Sequence, residues 1–161
     1  MHDVFCNTSQ LQYLHQLGLL SWLQTLAGRV VVPPAVAQEL SAGRAKGLDV
    51  PDVANLEWIE IRIPSSLAAV PLVTDLGAGE TQVLALALES SAELVLLDDG
   101  LARRVAASLG LTVEGTLGLL LDAKQAGLVP FVAPLLDQLQ SLGFWLDART
   151  RAAVLRLAGE G

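Results

Sequence analysis

The sequence predicts an α/β domain built on a mostly parallel sheet. Two observations carry that expectation. Short strand-like runs, "RVVV", "EWIEIRI", "ELVLL" and "LTVEG", alternate with segments of helical periodicity along the chain. Hydrophobic residues make up 52% of 161 residues while aromatics reach only 4%. That Leu-, Ala- and Val-rich mixture suits helices packed on a buried sheet better than a β-sandwich. The length makes one domain the default.

Residues 3–6, "DVFC", are too short to assign by themselves. Thr8 and Ser9 are N-cap types ahead of a helical stripe at Leu11, Leu14 and Leu17. Gly18 breaks that stripe, and Leu19, Leu20, Leu23 and Leu26 start a second helix. "RVVVPP" reads as a strand closed by Pro33 and Pro34, and a proline suits the first position of the helix "AVAQELSAG". Gly43 is the expected stop of that helix. "RAKGLDVPDVANL" reads as a loop. "EWIEIRIP" alternates with period two, Ile59, Ile61 and Ile63 sharing one side, as a half-buried strand at a sheet edge would. "SSLAAVPLVTDLGAG" is a second loop. The helix "ETQVLALALESS" follows, with Val83, Leu84, Ala87 and Leu88 inward. Next come the strand "ELVLL", the helix "LARRVAASLG", the short strand "LTVEG" and the helix "TLGLLLDAKQAG". Two helices, over about residues 132–142 and 147–158, are expected to pack on the same domain and finish it.

The net charge is −7. This disfavours a basic-groove nucleic-acid module, which neutralises phosphates with Lys and Arg. An acidic protein still acts on nucleic acid where a bound cation dominates the local charge. A lone cysteine, Cys6, forms no internal disulfide and fits a reducing cytoplasm. There is no signal-peptide pattern at the start. No apolar run reaches the roughly 18 residues that span a bilayer, so no membrane association is expected. The apolar surplus points to a dimer or another partner.

In parallel α/β sheets ligands bind outside the carboxyl ends of the strands, which directs attention to the residues that follow each strand. Asn7 follows the first candidate strand, and Asp98 and Asp99 follow "ELVLL". Glu39 lies on the helix entered from "VVVPP", and Glu80 opens the helix after "DLGAG". Each has a plainer reading. Glu39 reads by itself as an exposed helix residue, as most glutamates are. Glu80 favours a helix dipole. Asp98 or Asp99 can cap the next helix, and Asp99 can pair with Arg103 four residues on. Asp75 is a loop residue. But one helix needs one cap, which leaves the second acid of the pair unexplained. Acids from distant parts of the chain, without a His or Cys ligand set, match hard oxygen-ligated cations such as Mg²⁺ or Mn²⁺.

The motifs carry a resemblance over nearly the whole chain. "NTSQLQYLHQLGLLSWL", "VVVPPAVAQEL", "DLGAGETQVLALAL" and "LVLLDDGLARRVAASLGLTVEGTLGLLLDAKQAGLV" occur in an order that resembles the PIN-domain nucleases. In particular they resemble a PIN-like family of uncertain function related to VapC-type toxins. The resemblance implies a three-layer α/β/α fold around a central, mostly parallel sheet. It implies an endoribonuclease dependent on one or two Mg²⁺ or Mn²⁺ ions, the toxin-like half of a toxin–antitoxin pair, with a small antitoxin protein and a homodimer as expected partners. Carried over residue by residue, Glu39, Glu80, Asp98 and Asp99 form the catalytic set. The same four with Asn7 are the metal ligands, and Thr8, Ser9 and Arg103 are RNA contacts. The chain departs from the pattern at Asn7, where an aspartate is usual, and at Gln10, where proline is frequent. An amide oxygen ligates a metal without bringing charge, so a PIN-fold protein impaired in catalysis, binding RNA or a protein partner, is the alternative. A phosphatase of the aspartyl-phosphate kind wants Asp-x-Asp after its first strand, and "NTS" does not supply it.

Overall fold

The computed structural model describes residues 3–67, 76–90 and 94–161. Asp75, much of the loop read over "SSLAAVPLVTDLGAG", and the first residue of "ELVLL" lie outside them. The chain divides into two compact units, Met1–Glu114 and Gly115–Gly161.

The first unit holds a five-stranded sheet: β1 Asp3–Cys6, β2 Arg29–Val32, β3 Ile59–Ile61, β4 Leu94–Leu96 and β5 Val113–Glu114. Its order is β3-β2-β1-β4-β5 and every pairing is parallel. Between the strands run α1 Thr8–Gln16, α2 Leu20–Ala27, α3 Pro34–Ala45, α4 Ala78–Glu89 and α5 Gly100–Ser108. The chain steps from β1 to β2 to β3 in one direction, then returns to β4 and β5 on the other side of β1. Right-handed crossovers require helices on both faces of such a sheet, which gives the α/β layering that the sequence predicts.

The strand too short to assign from pattern is the central one. Val4, Phe5 and Cys6 of β1 are almost wholly buried. Each fully buried side chain of this size stabilises by roughly 1.5–3 kcal/mol, so burial from both sides selects a segment that local propensity does not. Gly18, at φ +74°, turns the chain between α1 and α2 as expected.

Three local expectations change. α3 does not stop at Gly43 but runs to Ala45, and Gly47, at φ +85°, supplies the left-handed turn that ends it. Gly43 is instead a point of close packing, where an added Cβ would meet Leu48 Cδ1 at 3.4 Å. The loop before β3 contains a 3₁₀ turn, Val53–Asn55. On the edge strand β3 the isoleucine face is buried only at its start: Ile59 is 7% exposed, Ile61 42% and Ile63 75%.

α4 begins two residues before the predicted helix and buries Val83 through Ala87 without a gap, so it is covered on more than one side. Its Gln82 reaches α3, where Oε1 accepts from the Ala35 N–H at 3.1 Å. Pro33 and Pro34 have no polar side chain to cap α3, and Gln82 supplies the missing acceptor.

The second unit comprises α6 Thr116–Gln125, α7 Ala133–Ser141 and α8 Ala148–Leu157. Glu160 ties these helices together. It pairs with Lys124 of α6 at 2.8 Å and accepts from the Val132 and Ala133 N–H groups at the start of α7, at 2.8 and 3.1 Å. The Lys124 hydrogen bond, then the Val132 N–H, pull its carboxyl down to about 2.

Candidate functional site

The sheet reverses its winding between β1 and β4, and such a switch point opens a crevice at the carboxyl ends of the two strands. Asn7 sits just past β1 and Asp98 two residues past β4. The register pairs Cys6 with Leu96, and the Asn7 N–H donates to the Leu96 carbonyl at 3.3 Å. Backbone pairing therefore brings both residues to one edge of the sheet.

Asn7 occupies the N-cap position of α1 in extended conformation, but its side chain makes no capping bond. It is 8% exposed, and its Oδ1 has no hydrogen-bond partner among the described residues. A buried amide oxygen without a donor costs about 1–3 kcal/mol. An oxygen kept in that condition suits a ligand that accepts its lone pair.

Glu39 borders the same space. A Cβ added at Gly79, in the first turn of α4, would lie 2.9 Å from Asn7 Oδ1 and 3.0 Å from Glu39 Oε1. Any larger residue there would push both oxygens away. Gly79 thus lets the two oxygens approach by what it lacks. Its signal lay in "LGAGE", which reads most simply as a loop.

The first turn of α1 holds two of the acids. Thr8 Oγ1 donates to Glu39 Oε2 at 2.5 Å, and Ser9 Oγ donates to Asp98 Oδ2 at 3.1 Å. Thr8 and Ser9, expected as RNA contacts, have their hydroxyls turned to carboxylates. Glu39 is otherwise exposed on α3, whereas Asp98 is half-buried. The Asp98 charge is felt nearby. Burial first, and then the Asp98 carboxylate, push the Cys6 thiol and the Tyr13 hydroxyl up from their ordinary values.

The remaining expected residues are placed differently. The Glu80 carboxylate folds back over Gly77, its own N-cap, within the positive end of the α4 dipole. Asp99 caps α5, accepting from the Ala102 N–H at 2.9 Å. The Arg103 guanidinium donates to the Leu97 carbonyl at 3.1 Å. The anticipated Asp99–Arg103 pair is thus replaced by a helix cap and a strand-end contact. Among the described residues no three His, Cys, Asp or Glu side chains stand close enough to hold one ion together. Asn7 Oδ1 and Glu39 Oε1 meet at Gly79, and Asp98 follows the neighbouring strand at the same sheet edge; Glu80 and Asp99 are engaged with helix ends.

The donor set is all oxygen: one amide carbonyl and carboxylates, with the amide oxygen buried and unpartnered. That chemistry fits a hard divalent cation and does not fit zinc, which favours His and Cys.

A family model described as DUF3368, a PIN domain, matches residues 3–160. Among solved structures, the chain is similar to a PilT N-terminus domain protein from the hyperthermophilic archaeon Sulfolobus solfataricus P2. The two are 19% identical with a TM-score of 0.52, over 73% of this chain and 89% of that one. At that identity the likeness bears on the fold, and it agrees with the three-layer α/β/α architecture. No curated protein matches the chain.

Proposed function

Because the chain belongs to the PIN-domain family, we propose that it is a metal-dependent endoribonuclease whose site is the edge formed by Asn7, Glu39 and Asp98. PIN domains are generally nucleases and typically depend on a divalent metal. The observation that carries the reading for this chain is Asn7 Oδ1, buried and without a donor where Glu39 and Gly79 approach it.

Asn7, Glu39 and Asp98 would hold Mg²⁺ or Mn²⁺ through oxygen. When bound, such an ion supplies Lewis acidity toward a phosphate oxygen and a bound water of lowered pKa. The chain's own residues do the rest. Thr8 orients Glu39 and Ser9 orients Asp98. Glu80, next to Gly79 in the first turn of α4, would join these residues by swinging its carboxylate off Gly77. The acids then set the charge against which an RNA phosphate is positioned only when a cation is present, in keeping with a net charge of −7.

The wider role we propose is that of a toxin-like nuclease, cytoplasmic, paired with a small antitoxin protein and acting as a homodimer. Among the described residues no helix is long and apolar enough to cross a membrane.

The test is cleavage of single-stranded and structured RNA with Mn²⁺. Asp98→Ala and Glu80→Ala are each expected to reduce the rate at least ~100-fold, with the thermal midpoint nearly unchanged. Cleavage that survives both variants would sink the assignment of the site.

A second reading is supported by Asn7 itself and by the separate anchoring of Glu80 and Asp99. A site with one charge fewer holds a cation less firmly. On this reading the chain binds RNA or a protein partner on the PIN fold without cutting. Stable RNA binding with no Mn²⁺-dependent cleavage would favour it.

A further inference from the structure

Gln10 is a polar side chain that is 0% exposed, one residue beyond Ser9 in α1. Its Nε2 donates to Ser9 Oγ at 2.9 Å, and Ser9 Oγ donates to Asp98 Oδ2 at 3.1 Å. The order of the chain is therefore Gln10, Ser9, Asp98.

The direction of these bonds follows from what each group can do. A serine hydroxyl has one hydrogen and two acceptor lone pairs. An ionised carboxylate only accepts, so the single Ser9 hydrogen must point at Asp98. Whatever else touches Ser9 Oγ must then donate. Gln10 satisfies this only with its amide nitrogen toward Ser9. The flipped amide would present Oε1, compete for the same hydrogen, and release Asp98. The bond network thus selects one of two otherwise equivalent amide orientations.

That selection leaves Gln10 Oε1 buried without a partner. An apolar residue of the same length would avoid the orphan oxygen. Packing alone gives no reason for glutamine here; the Ser9 contact does. With a lone pair occupied by the Gln10 N–H, the Ser9 hydroxyl cannot rotate away, and the Asp98 carboxylate is held in one orientation.

We infer that Gln10 is a positioning residue for Asp98, acting through the Ser9 hydroxyl. The inference rests on the reading of Asp98 as a metal ligand. Partners that orient a ligating side chain typically contribute 10–100-fold to metal affinity.

The experiment is calorimetric titration of Mn²⁺ into the full chain, comparing wild type, Gln10→Leu, Gln10→Met, Ser9→Ala, Asp98→Ala and the Ser9→Ala/Gln10→Leu pair. Circular dichroism and thermal midpoints establish that each is folded. Gln10→Met keeps an unbranched chain of similar length, so it serves if Gln10→Leu packs poorly. Gln10→Leu, Gln10→Met and Ser9→Ala are each expected to raise the Kd about tenfold. The double variant should bind no more weakly than Ser9→Ala alone, because Gln10 acts only through Ser9. Unchanged Mn²⁺ affinity in folded Gln10→Leu and Gln10→Met would overturn the inference while leaving the metal site standing. So would losses that add in the double variant, the signature of a purely structural role. If wild type binds no Mn²⁺, or binds it no better than Asp98→Ala, the metal-site reading itself fails and the inference falls with it.

Discussion

The two ends of β1 handle their polar side chains in opposite ways. At the start of the strand, Asp3 is gripped by two guanidiniums. Arg29 donates to Oδ1 through Nε and Nη2 at 3.1 and 3.0 Å, and Arg62 reaches Oδ2 at 3.3 Å. Glu60 pairs with the same two arginines, and the Arg62 guanidinium lies 5.8 Å over the Phe5 ring. Burial pushes the Asp3 carboxyl up, but the hydrogen bonds and charges of Arg29 and Arg62 outweigh it and hold the group below its ordinary value. Past the other end, Asn7 is buried with an unpartnered oxygen, and Glu39 and Asp98 are met by hydroxyls. Hydroxyls orient a carboxylate without cancelling its charge. One end is internally neutralised; at the other, Asn7 Oδ1 has no donor and hydroxyls orient Glu39 and Asp98, which is what the proposed cation site requires. Asp3, four residues before Asn7, is therefore no reserve ligand, because its lone pairs are already committed.

The strongest way to sharpen this contrast is to add charge at the Asn7 end. Asn7→Asp should tighten Mn²⁺ binding by on the order of tenfold or more, since ligand charge count is a main determinant of affinity for hard cations. The metal-free variant should lose about 1–3 kcal/mol, because a charge now replaces a buried neutral amide. Saturating Mn²⁺ should restore the thermal midpoint. A variant that binds Mn²⁺ no better than wild type would mean that position 7 does not face the cation.

A somewhat smaller effect is expected at Gly79. Alanine is favoured over glycine inside a helix by up to about 1 kcal/mol, so Gly79→Ala should stabilise α4 if only the backbone mattered. Its Cβ would instead fall 2.9 Å from Asn7 Oδ1 and 3.0 Å from Glu39 Oε1, forcing the two apart. Mn²⁺ affinity should drop by roughly tenfold with little net change in stability. A gain in stability at unchanged affinity would show that the close approach is incidental.

The contrast also explains what could be read from the sequence. The layered α/β fold was legible because strand and helix periods alternate cleanly, and the helices over "AVAQEL" and "TLGLLLDAKQ" need nothing beyond apolar spacing. β1 was not, since four residues carry no period; its place is set by burial on both faces. Among the candidate site residues, Asn7 and Asp98 stood out by their positions just beyond strand ends, and Glu39 by its place on the helix entered from β2. Gly79, Gln10 and Gln82 were not, because each acts through a contact that spans the fold or through an absent Cβ. Asp99 carried three sequence readings, ligand, helix cap and partner of Arg103, and its carboxylate sits on the Ala102 N–H.

The smallest effect tests the neutralised end. Asp3→Asn removes the charge that Arg29 and Arg62 share. The Asp3 side chain is 30% exposed and that of Arg29 53%, so solvent screens the pair. The loss should be no more than about 0.5–1 kcal/mol at neutral pH. Its pH dependence has a definite sign. The folded carboxyl titrates below its ordinary 3.8, so the unfolded chain takes up the proton first as acid is added. The contribution of Asp3 is therefore complete above about pH 3.8 and fades as pH falls through the lower folded value. Urea unfolding at pH 7 should separate wild type from Asp3→Asn, and unfolding near pH 3 should bring them closer together. Mn²⁺ affinity at pH 7 should be the same in both. If Asp3→Asn weakened Mn²⁺ binding as much as Gly79→Ala, the two ends of β1 would be one electrostatic unit, and the division of labour along the strand would not hold.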